Sequence, residues 1–248
     1  MQATVFQHVA DVELHLGAHA ILEEAEAVAR RKIHGETRAV VDGLIGVERA
    51  HDAVRLGRGA EETNRGLVLP AHGAADAEAL VERRASREPL QHITGSTGFA
   101  RIDLLVGPGV FVPRPESELL VERALVEVQS IVAAGQEPVV VDLCSGSGAI
   151  GLAIAHECST AQLHSVELDD DAFLWLQRNV EALNLGARIQ AHHEDATSAL
   201  PELTGCVDVV VCNPPYVSEA EYAALDKNVK DYEPADALLA GADGLDVY

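Results

Sequence analysis

The sequence predicts an α/β protein with a mostly parallel, Rossmann-like sheet and a small helical domain ahead of it. From residue 138 onward, short apolar segments alternate with helix-like segments, which is the pattern of a parallel sheet covered on both faces. Residues 1–90 carry Ala- and Glu-rich stretches with apolar side chains at helical spacing. Residues 91–115 are rich in Gly, Pro and short β-prone pieces, and we interpret them as a β-hairpin linker. The α/β domain is therefore expected over residues 116–248.

Three segments of the N-terminal region favour helix. They are Val9–Ile33, Val40–Leu56 and Ala74–Arg87, and glycines between them mark turns. In the linker, Phe99–Val106 and Val110–Val112 are expected to pair as a hairpin around the Gly-Pro-Gly triplet that separates them.

The α/β domain is expected to begin with a helix and to continue with alternating elements. Pro115 suits a first helical turn, and the glutamates that follow are favourable near the positive helix end. Four strands and two further helices follow. In chain order they are PVVVDLC (strand), GSGAIGLAIAHEC (helix), AQLHSVEL (strand), DDDAFLWLQRNVEALNLG (helix), RIQAHHED (strand) and CVDVVVCNPPY (strand).

The overall composition limits the possible functions. The formal charge is −22, and Arg30-Arg31-Lys32 is the longest run of basic residues, so we expect no direct binding of nucleic acid. The acidic surface either is simply solvated or fits a basic protein partner. The four cysteines form no CxxC pair and the histidines lack a ligand set, so no metal site is expected. With neither a secretory signal nor 18 consecutive apolar residues, the expectation is a soluble cytoplasmic protein.

The first candidate site is the turn in VVVDLCSGSGAIGLAIA. A strand delivers Asp142 to a glycine-rich turn, where Gly146 and Gly148 allow a ligand to approach the backbone and a helix N-terminus offers free N–H groups. The G-x-G-x-x-G pattern is absent because position 149 is Ala, and no Gly-Lys-Ser/Thr follows, so this is neither a dinucleotide fingerprint nor a P-loop. A tight turn without a ligand is the alternative.

Acidic residues end the next two strands. Glu167 lies 21 residues after Gly146, a spacing at which a carboxylate can accept both hydroxyls of a ribose. Asp195 could accept a hydrogen bond from an adenine amino group, and Ala196 could line the pocket of the ring. The alternatives are a solvated strand-end acid for Glu167 and a helix N-cap for Asp195.

The fourth strand ends in Asn213-Pro214-Pro215-Tyr216, at the same expected sheet edge. An amide or aromatic amine nitrogen is a poor nucleophile because its lone pair is delocalised. The Asn213 Oδ1 and the Pro214 carbonyl could accept its two N–H groups and localise that lone pair. The two prolines fix the backbone, and Tyr216 offers an aromatic face to a planar amide or to a cationic methyl donor. The tetrapeptide therefore predicts alkylation of a planar nitrogen.

These motifs together resemble the class I S-adenosylmethionine-dependent methyltransferases. The chain is most similar to the peptide-chain release factor N5-glutamine methyltransferases, PrmC/HemK. The closer likeness is carried by REPLQHITG (87–95), FVPRPESELLVERAL (111–125), NPPYV (213–217) and YEPADALLAGADGLDVY (232–248), and it covers about residues 80–248. NPPY alone is shared with adenine-N6 methyltransferases of DNA and RNA.

The resemblance implies methylation of the glutamine in the Gly-Gly-Gln motif of class-1 release factors, with S-adenosylmethionine as donor and no metal. The N-terminal helical domain would recognise the substrate. The catalytic residues implied are Asn213, Pro214, Pro215 and Tyr216. Those implied around the donor are Asp142, Cys144, Ser145, Gly146, Ser147, Gly148, Glu167, Asp195, Ala196 and Asn213.

Four departures accompany the resemblance. The first 73 residues match the family's helical domain only in being helical and lack its usual Asp-Ala-Glu-Leu-Leu signature. Cys144 stands where the wider pattern often has Gly, and Ala196 where some members have Trp. After the position of Tyr248 the family continues with a helix and three more strands, so we expect an unpaired strand edge and a truncated chain, or a partner that completes the sheet. The alternative functions are an NPPY-type methyltransferase acting on adenine N6 or on another protein glutamine, and a non-catalytic binding module.

Overall fold

The structure, a computed structural model, describes residues 4–7 and 74–247. Its strands are β1 (Thr4–Gln7), β2 (Ser96–Phe99), β3 (Ile102–Leu105), β4 (Val139–Leu143), β5 (Gln162–Glu167), β6 (Ile189–His193) and β7 (Val209–Cys212). Its helices are α1 (Ala74–Ala85), α2 (Leu90–Thr94), α3 (Glu118–Ala133), α4 (Ala149–Glu157), α5 (Asp170–Ala182), α6 (Glu219–Ala224) and α7 (Lys227–Lys230). Short 3-10 turns cover Pro115–Ser117, Pro201–Leu203 and Ala235–Ala237.

The expected order of strands and helices after residue 138 is confirmed, and so is a helix starting at Ala74. The helices expected over Val9–Ile33 and Val40–Leu56 lie outside the described residues. By compactness the chain divides into two units, residues 1–10 with 94–248 and residues 11–93. The division into 1–90, 91–115 and 116–248 stays a prediction.

The main sheet is parallel throughout, in the order β1-β7-β4-β5-β6. From β4 the chain adds β5 and then β6 on one side, and β7 returns to the other side of β4. The order of addition therefore reverses between β4 and β7. In open α/β sheets, ligands bind outside the carboxyl ends of the strands at such a switch point.

The outer edge of β7 is paired. β1 lies beside it in parallel, with Thr4 opposite Val209 and Gln7 opposite Cys212. The backbone N–H and C=O groups of β7 are therefore paired along these residues. In the described part of the chain the sheet still ends in a strand with one neighbour, because β1 itself is now the edge strand.

The core lies between the sheet and two helices that pack against each other. α3 contacts β1 and β7, whereas α4 contacts β4 and β5. All residues from Ala149 to Ala155 are buried, which explains why this helix is apolar all round. The burial of α4 fixes its N-terminus directly after the glycine-rich turn.

The linker hairpin turns at a different place from the one expected. β2 and β3 pair antiparallel, and the turn between them consists of Ala100 (φ 40°) and Arg101 (φ 70°), where no glycine marks it. The Gly-Pro-Gly triplet instead packs on α5. A Cβ at Gly107 would lie 2.6 Å from the Trp175 ring, and the Trp175 indole donates to the Pro108 carbonyl at 3.1 Å.

Candidate active site

A cavity of about 780 Å³ opens at the switch point of the sheet. Its wall is formed by the residues that follow β4, β5, β6 and β7, together with parts of segments 111–117 and 234–247. The predicted site residues that line it are Cys144, Ser145, Gly146, Ser147, Glu167, Asp195, Ala196, Asn213, Pro214, Pro215 and Tyr216. Asp142 and Gly148 do not line it. The structure thus brings eleven of the thirteen predicted residues to one cavity, while their individual roles stay predictions.

The glycine-rich turn is built from left-handed backbone. Cys144 (φ 55°), Gly146 (φ 56°) and Gly148 (φ 84°) all have positive φ, and the Ser145 N–H bonds to the Val166 carbonyl at 3.0 Å. A non-glycine residue in this region costs about 1–2 kcal/mol, which gives a physical reason for the Gly often found at the position of Cys144. A Cβ at Gly146 would meet no atom within 4 Å, so the backbone there faces open space.

The Glu167 carboxylate joins two loops at the base of the cavity. Its Oε2 accepts from the Gly146 N–H at 2.6 Å, and its Oε1 accepts from the N–H groups of Leu168 and Asp169, both at 2.9 Å. It is therefore more than a solvated strand-end acid. A carboxylate offers about four acceptor positions, so capacity remains on Oε2 for a ligand hydroxyl.

Asp142 lies behind the turn and fastens β4 to α4. Its side chain is 1% exposed, and its Oδ2 accepts from the Gly151 N–H at 2.8 Å. Its Oδ1 has no hydrogen-bond partner among the described residues. Burial raises the pKa of Asp142 to about 7, although the Gly151 hydrogen bond opposes the shift and the nearby Glu167 charge adds to it. This residue thus positions the turn without lining the cavity.

The raised pKa of Asp142 predicts a pH-dependent stability. Between pH 3.8, the ordinary pKa of an aspartate, and about 7, the folded chain holds a proton that the unfolded chain has lost. The free energy of unfolding should therefore fall as pH rises through this window and level off above it. In Asp142→Asn, whose amide oxygen can still accept from Gly151, the decrease between pH 5 and pH 8 should be smaller than in the unaltered protein by about 3 kcal/mol. Urea unfolding of both proteins across this range measures the difference, and parallel curves would contradict it.

Asp195 lies at the exposed rim of the cavity. Its Oδ1 accepts from the Thr197 N–H at 2.8 Å and from the Thr197 hydroxyl at 2.7 Å, and these hydrogen bonds lower the pKa of Asp195. The carboxylate thus caps a local turn, a role close to the helix N-cap that the sequence left open as the alternative for Asp195. Ala196 follows it on the cavity wall.

The Asn213–Tyr216 tetrapeptide follows β7 directly and is held by the C-terminal segment. The Val217 N–H bonds to the Leu238 carbonyl at 2.8 Å, and the Ala240 N–H bonds to the Val217 carbonyl at 2.9 Å. The Oδ1 of Asn213 is buried and has no hydrogen-bond partner in the described part of the chain. Since an unsatisfied buried acceptor is costly, such an atom in a cavity wall calls for a functional explanation.

One positioning residue was missed by the sequence analysis. Asn179 on α5 is fully buried, and its Oδ1 accepts from the Leu105 N–H at 2.7 Å. Its Nδ2 donates to the carbonyls of Leu105 and Ser147, both at 3.0 Å. It therefore ties the end of β3 to the glycine-rich turn. A polar residue on the buried face of an amphipathic helix was the available signal.

The cavity wall is strongly acidic. It contains Glu167, Asp169, Asp170, Glu194, Asp195, Asp236 and Asp246, whereas no Lys or Arg is found among its described lining residues. Such a wall attracts cations and repels phosphates.

Among the residues that the structure describes, no group of His, Cys, Asp and Glu could hold a metal ion. No helix in the same part of the chain is long and apolar enough to cross a membrane.

Known proteins match this chain along most of its length. The family described as PrmC N-terminal domain matches residues 58–95, and the family described as Conserved hypothetical protein 95 matches residues 113–234. A curated release factor glutamine methyltransferase from Streptomyces coelicolor is 48% identical over 168 residues, which are 68% of this chain and 58% of that protein. Its counterpart in Corynebacterium glutamicum is 46% identical over 171 residues, with the same shares. The chain thus spans less than two thirds of the length of these relatives.

Solved structures are similar at lower levels. A SAM-dependent methyltransferase from Agrobacterium tumefaciens has a TM-score of 0.40 at 19% identity, over 48% of this chain and 39% of that one. The hMettl16 catalytic domain has a TM-score of 0.42 at 16% identity, over 68% of this chain and 57% of that one. The strand order and the curated relatives carry the assignment. The chain belongs to the release factor glutamine methyltransferase (PrmC/HemK) family and has the class I S-adenosylmethionine-dependent methyltransferase fold.

Proposed function

We propose that this protein transfers a methyl group from S-adenosylmethionine to the side-chain amide nitrogen of the glutamine in the Gly-Gly-Gln motif of a class-1 release factor. The observation that carries the proposal is that Asn213, a residue lining the cavity, has a buried Oδ1 with no hydrogen-bond partner among the described residues. The curated relatives, named for this activity, support the choice of acceptor. Since release factors act in translation, the protein would work in the cytoplasm.

The acceptor nitrogen would be activated by acceptors and not by a strong base. Asn213 Oδ1 and the Pro214 carbonyl would each accept a hydrogen bond from one N–H of the glutamine amide. These two hydrogen bonds localise the lone pair on the amide nitrogen and orient it toward the methyl group. A C–N bond forms as the C–S bond of the sulfonium breaks, and S-adenosylhomocysteine leaves. The alkylated amide is very acidic, so its extra proton departs to solvent. Tyr216, which is 38% exposed, would cover the planar amide with its ring.

The other half of the cavity fits the donor. The open backbone at Gly146 leaves room for a ligand, and Glu167 retains capacity for a ribose hydroxyl. The acidic wall favours the positive sulfonium and ammonium groups of S-adenosylmethionine. The same wall counts against a DNA or RNA acceptor, whose phosphates it would repel.

The test is to incubate the protein with labelled S-adenosylmethionine and a class-1 release factor and to map the modified residue by mass spectrometry. We expect one methyl group on the glutamine of Gly-Gly-Gln, and none on a release factor in which that glutamine is replaced by Ala. Parallel incubations contain adenine-bearing RNA and DNA. Labelling of nucleic acid alone would overturn the choice of acceptor, and failure of the donor to bind in calorimetry would favour a non-catalytic binding module.

A further inference from the structure

An ion pair joins two separate segments beside the cavity. Arg114 follows Pro113 in the FVPRPESE stretch, Glu233 precedes Pro234 in the YEPADALL stretch, and the Arg114 Nη2 donates to the Glu233 Oε1. The Glu233 side chain is 3% exposed and that of Arg114 is 38% exposed. The two residues are 119 positions apart in the chain, so the pair is a tertiary constraint and not a local one.

Each partner is attached to a part of the cavity wall. Pro113 and Pro234, the immediate neighbours of the pair, both line the cavity. The Arg114 guanidinium also lies over the Phe111 ring, 4.6 Å from its centroid, and this ring lines the cavity too. Phe111, Pro113, Pro214, Tyr216 and Pro234 are called the acceptor wall below.

The segment after Glu233 also holds the Asn213–Tyr216 tetrapeptide in place. Leu238 and Ala240 exchange backbone hydrogen bonds with Val217, the residue after Tyr216. A Cβ at Gly244 would lie 2.5 Å from the Tyr216 carbonyl oxygen, so the segment packs tightly on that peptide group. A shift of Glu233 would therefore reach Tyr216 through one short, hydrogen-bonded stretch of chain.

The energetics of the Arg114–Glu233 pair indicate that it constrains geometry more than it stabilises the fold. Burial raises the pKa of Glu233 even though the Arg114 charge opposes the shift, and the Glu233 Oε2 has no partner among the described residues. Buried ion pairs often contribute little net stability, whereas removing one partner is costly because a buried charge is left alone. The pair therefore fixes where the two segments meet.

We propose that Arg114 and Glu233 are positioning residues that set the spacing of the acceptor wall, and that they act on acceptor binding and methyl transfer but not on donor binding. The proposal rests on the proposed function only in treating this half of the cavity as the acceptor side. The donor side is the glycine-rich turn with Glu167 and is tied by other hydrogen bonds.

The first test separates acceptor kinetics from donor binding. Arg114→Met should lower kcat/KM for the release factor on the order of 10²-fold, the usual cost of misplacing reacting groups by about 1 Å. The Kd of S-adenosylmethionine by calorimetry should stay unchanged. Glu233→Gln keeps the shape of the side chain and an oxygen that accepts from Arg114, so its kcat/KM should fall less than that of Arg114→Met. Arg114→Lys should restore only part of the rate, because lysine keeps the charge but not the planar group over Phe111.

The second test needs no acceptor. In Arg114→Met, hydrogen exchange at the amides of Val217 and Ala240 should be about tenfold faster. The reason is that the Arg114–Glu233 pair no longer restrains the segment whose local opening exposes these amides. Exchange at the Ser145 amide, which bonds to the Val166 carbonyl in the glycine-rich turn, should be unchanged. The control is Arg101→Met, which breaks an exposed ion pair with Glu157 (3.3 Å) away from the cavity and should change neither readout.

The outcomes are distinct. Faster exchange confined to Val217 and Ala240, with an unchanged donor Kd, supports the positioning role even if the unaltered protein fails to methylate a release factor, a result that would overturn the proposed function alone. Equal acceleration at Ser145, a donor Kd weakened as much as kcat/KM, or no change at Val217 would overturn the positioning role. If Arg114→Met does not fold, Arg114→Lys and Glu233→Gln carry the same comparison.

Discussion

Asn213→Ala should lose methyl transfer by about 10²–10³-fold in kcat, the usual cost of removing one preorganised hydrogen-bonding group from a transition state. The donor should bind as before, because the Asn213 Oδ1 accepts no hydrogen bond from the described residues and, under the proposed function, would bind the acceptor amide and not the donor. The variant should also be at least as stable as the unaltered protein, since it removes a buried acceptor that the fold leaves unsatisfied. Single-turnover kinetics, donor calorimetry and urea unfolding measure the three quantities.

The matched variant is Asn213→Gln, which keeps an amide oxygen but displaces it by one methylene. It should lose nearly as much activity as Asn213→Ala, because the acceptor must lie where the substrate N–H points. Donor affinity that falls in step with the rate would instead make Asn213 mainly a donor-binding residue. A large loss of stability in Asn213→Ala would show that its amide is structural.

Much of the fold was predictable because apolar periodicity is a local signal. The stretch PVVVDLC predicted β4, and GSGAIGLAIAHEC predicted the helix α4, whose burial on all sides the structure then showed. The meeting of the motifs at one edge was also predictable, since parallel strands end together there. The site residues could therefore be collected from the sequence without knowing their contacts.

What could not be predicted depends on contacts between distant residues. Nothing marks Ala100 and Arg101 as the hairpin turn, because the positive φ of both is imposed by the pairing of β2 with β3. The backbone hydrogen bonds of Glu167 and the burial of Asp142 behind the wall are likewise tertiary facts. The edge position of β1 depends on β7, more than 200 residues away in the chain.

Gly148 illustrates the same limit, and it carries the largest expected effect on stability. The sequence placed it at the ligand, yet it lies behind the cavity wall, at φ 84° and against two fully buried leucines. A Cβ there would lie 2.5 Å from the Leu176 Cδ1 and 2.7 Å from the Leu152 Cδ1. Gly148→Ala should therefore lower the free energy of unfolding by about 3 kcal/mol, from left-handed strain of about 1–2 kcal/mol and overpacking of a similar size.

Two other glycines separate these contributions. Gly135 (φ 80°) and Gly146 (φ 56°) share the left-handed backbone, but a Cβ at either would meet nothing within 4 Å. Gly135→Ala, after α3 and away from the cavity, should cost only the strain of about 1–2 kcal/mol. Gly146→Ala should cost a similar amount of stability. It should also weaken the binding of the donor, because the new methyl group would occupy the open space beside the turn. Urea unfolding measures the losses. Equal losses of stability for Gly148→Ala and Gly135→Ala would show that Leu152 and Leu176 can shift to make room for the new methyl group. In that case the backbone conformation alone, and not a steric clash, would require glycine at position 148.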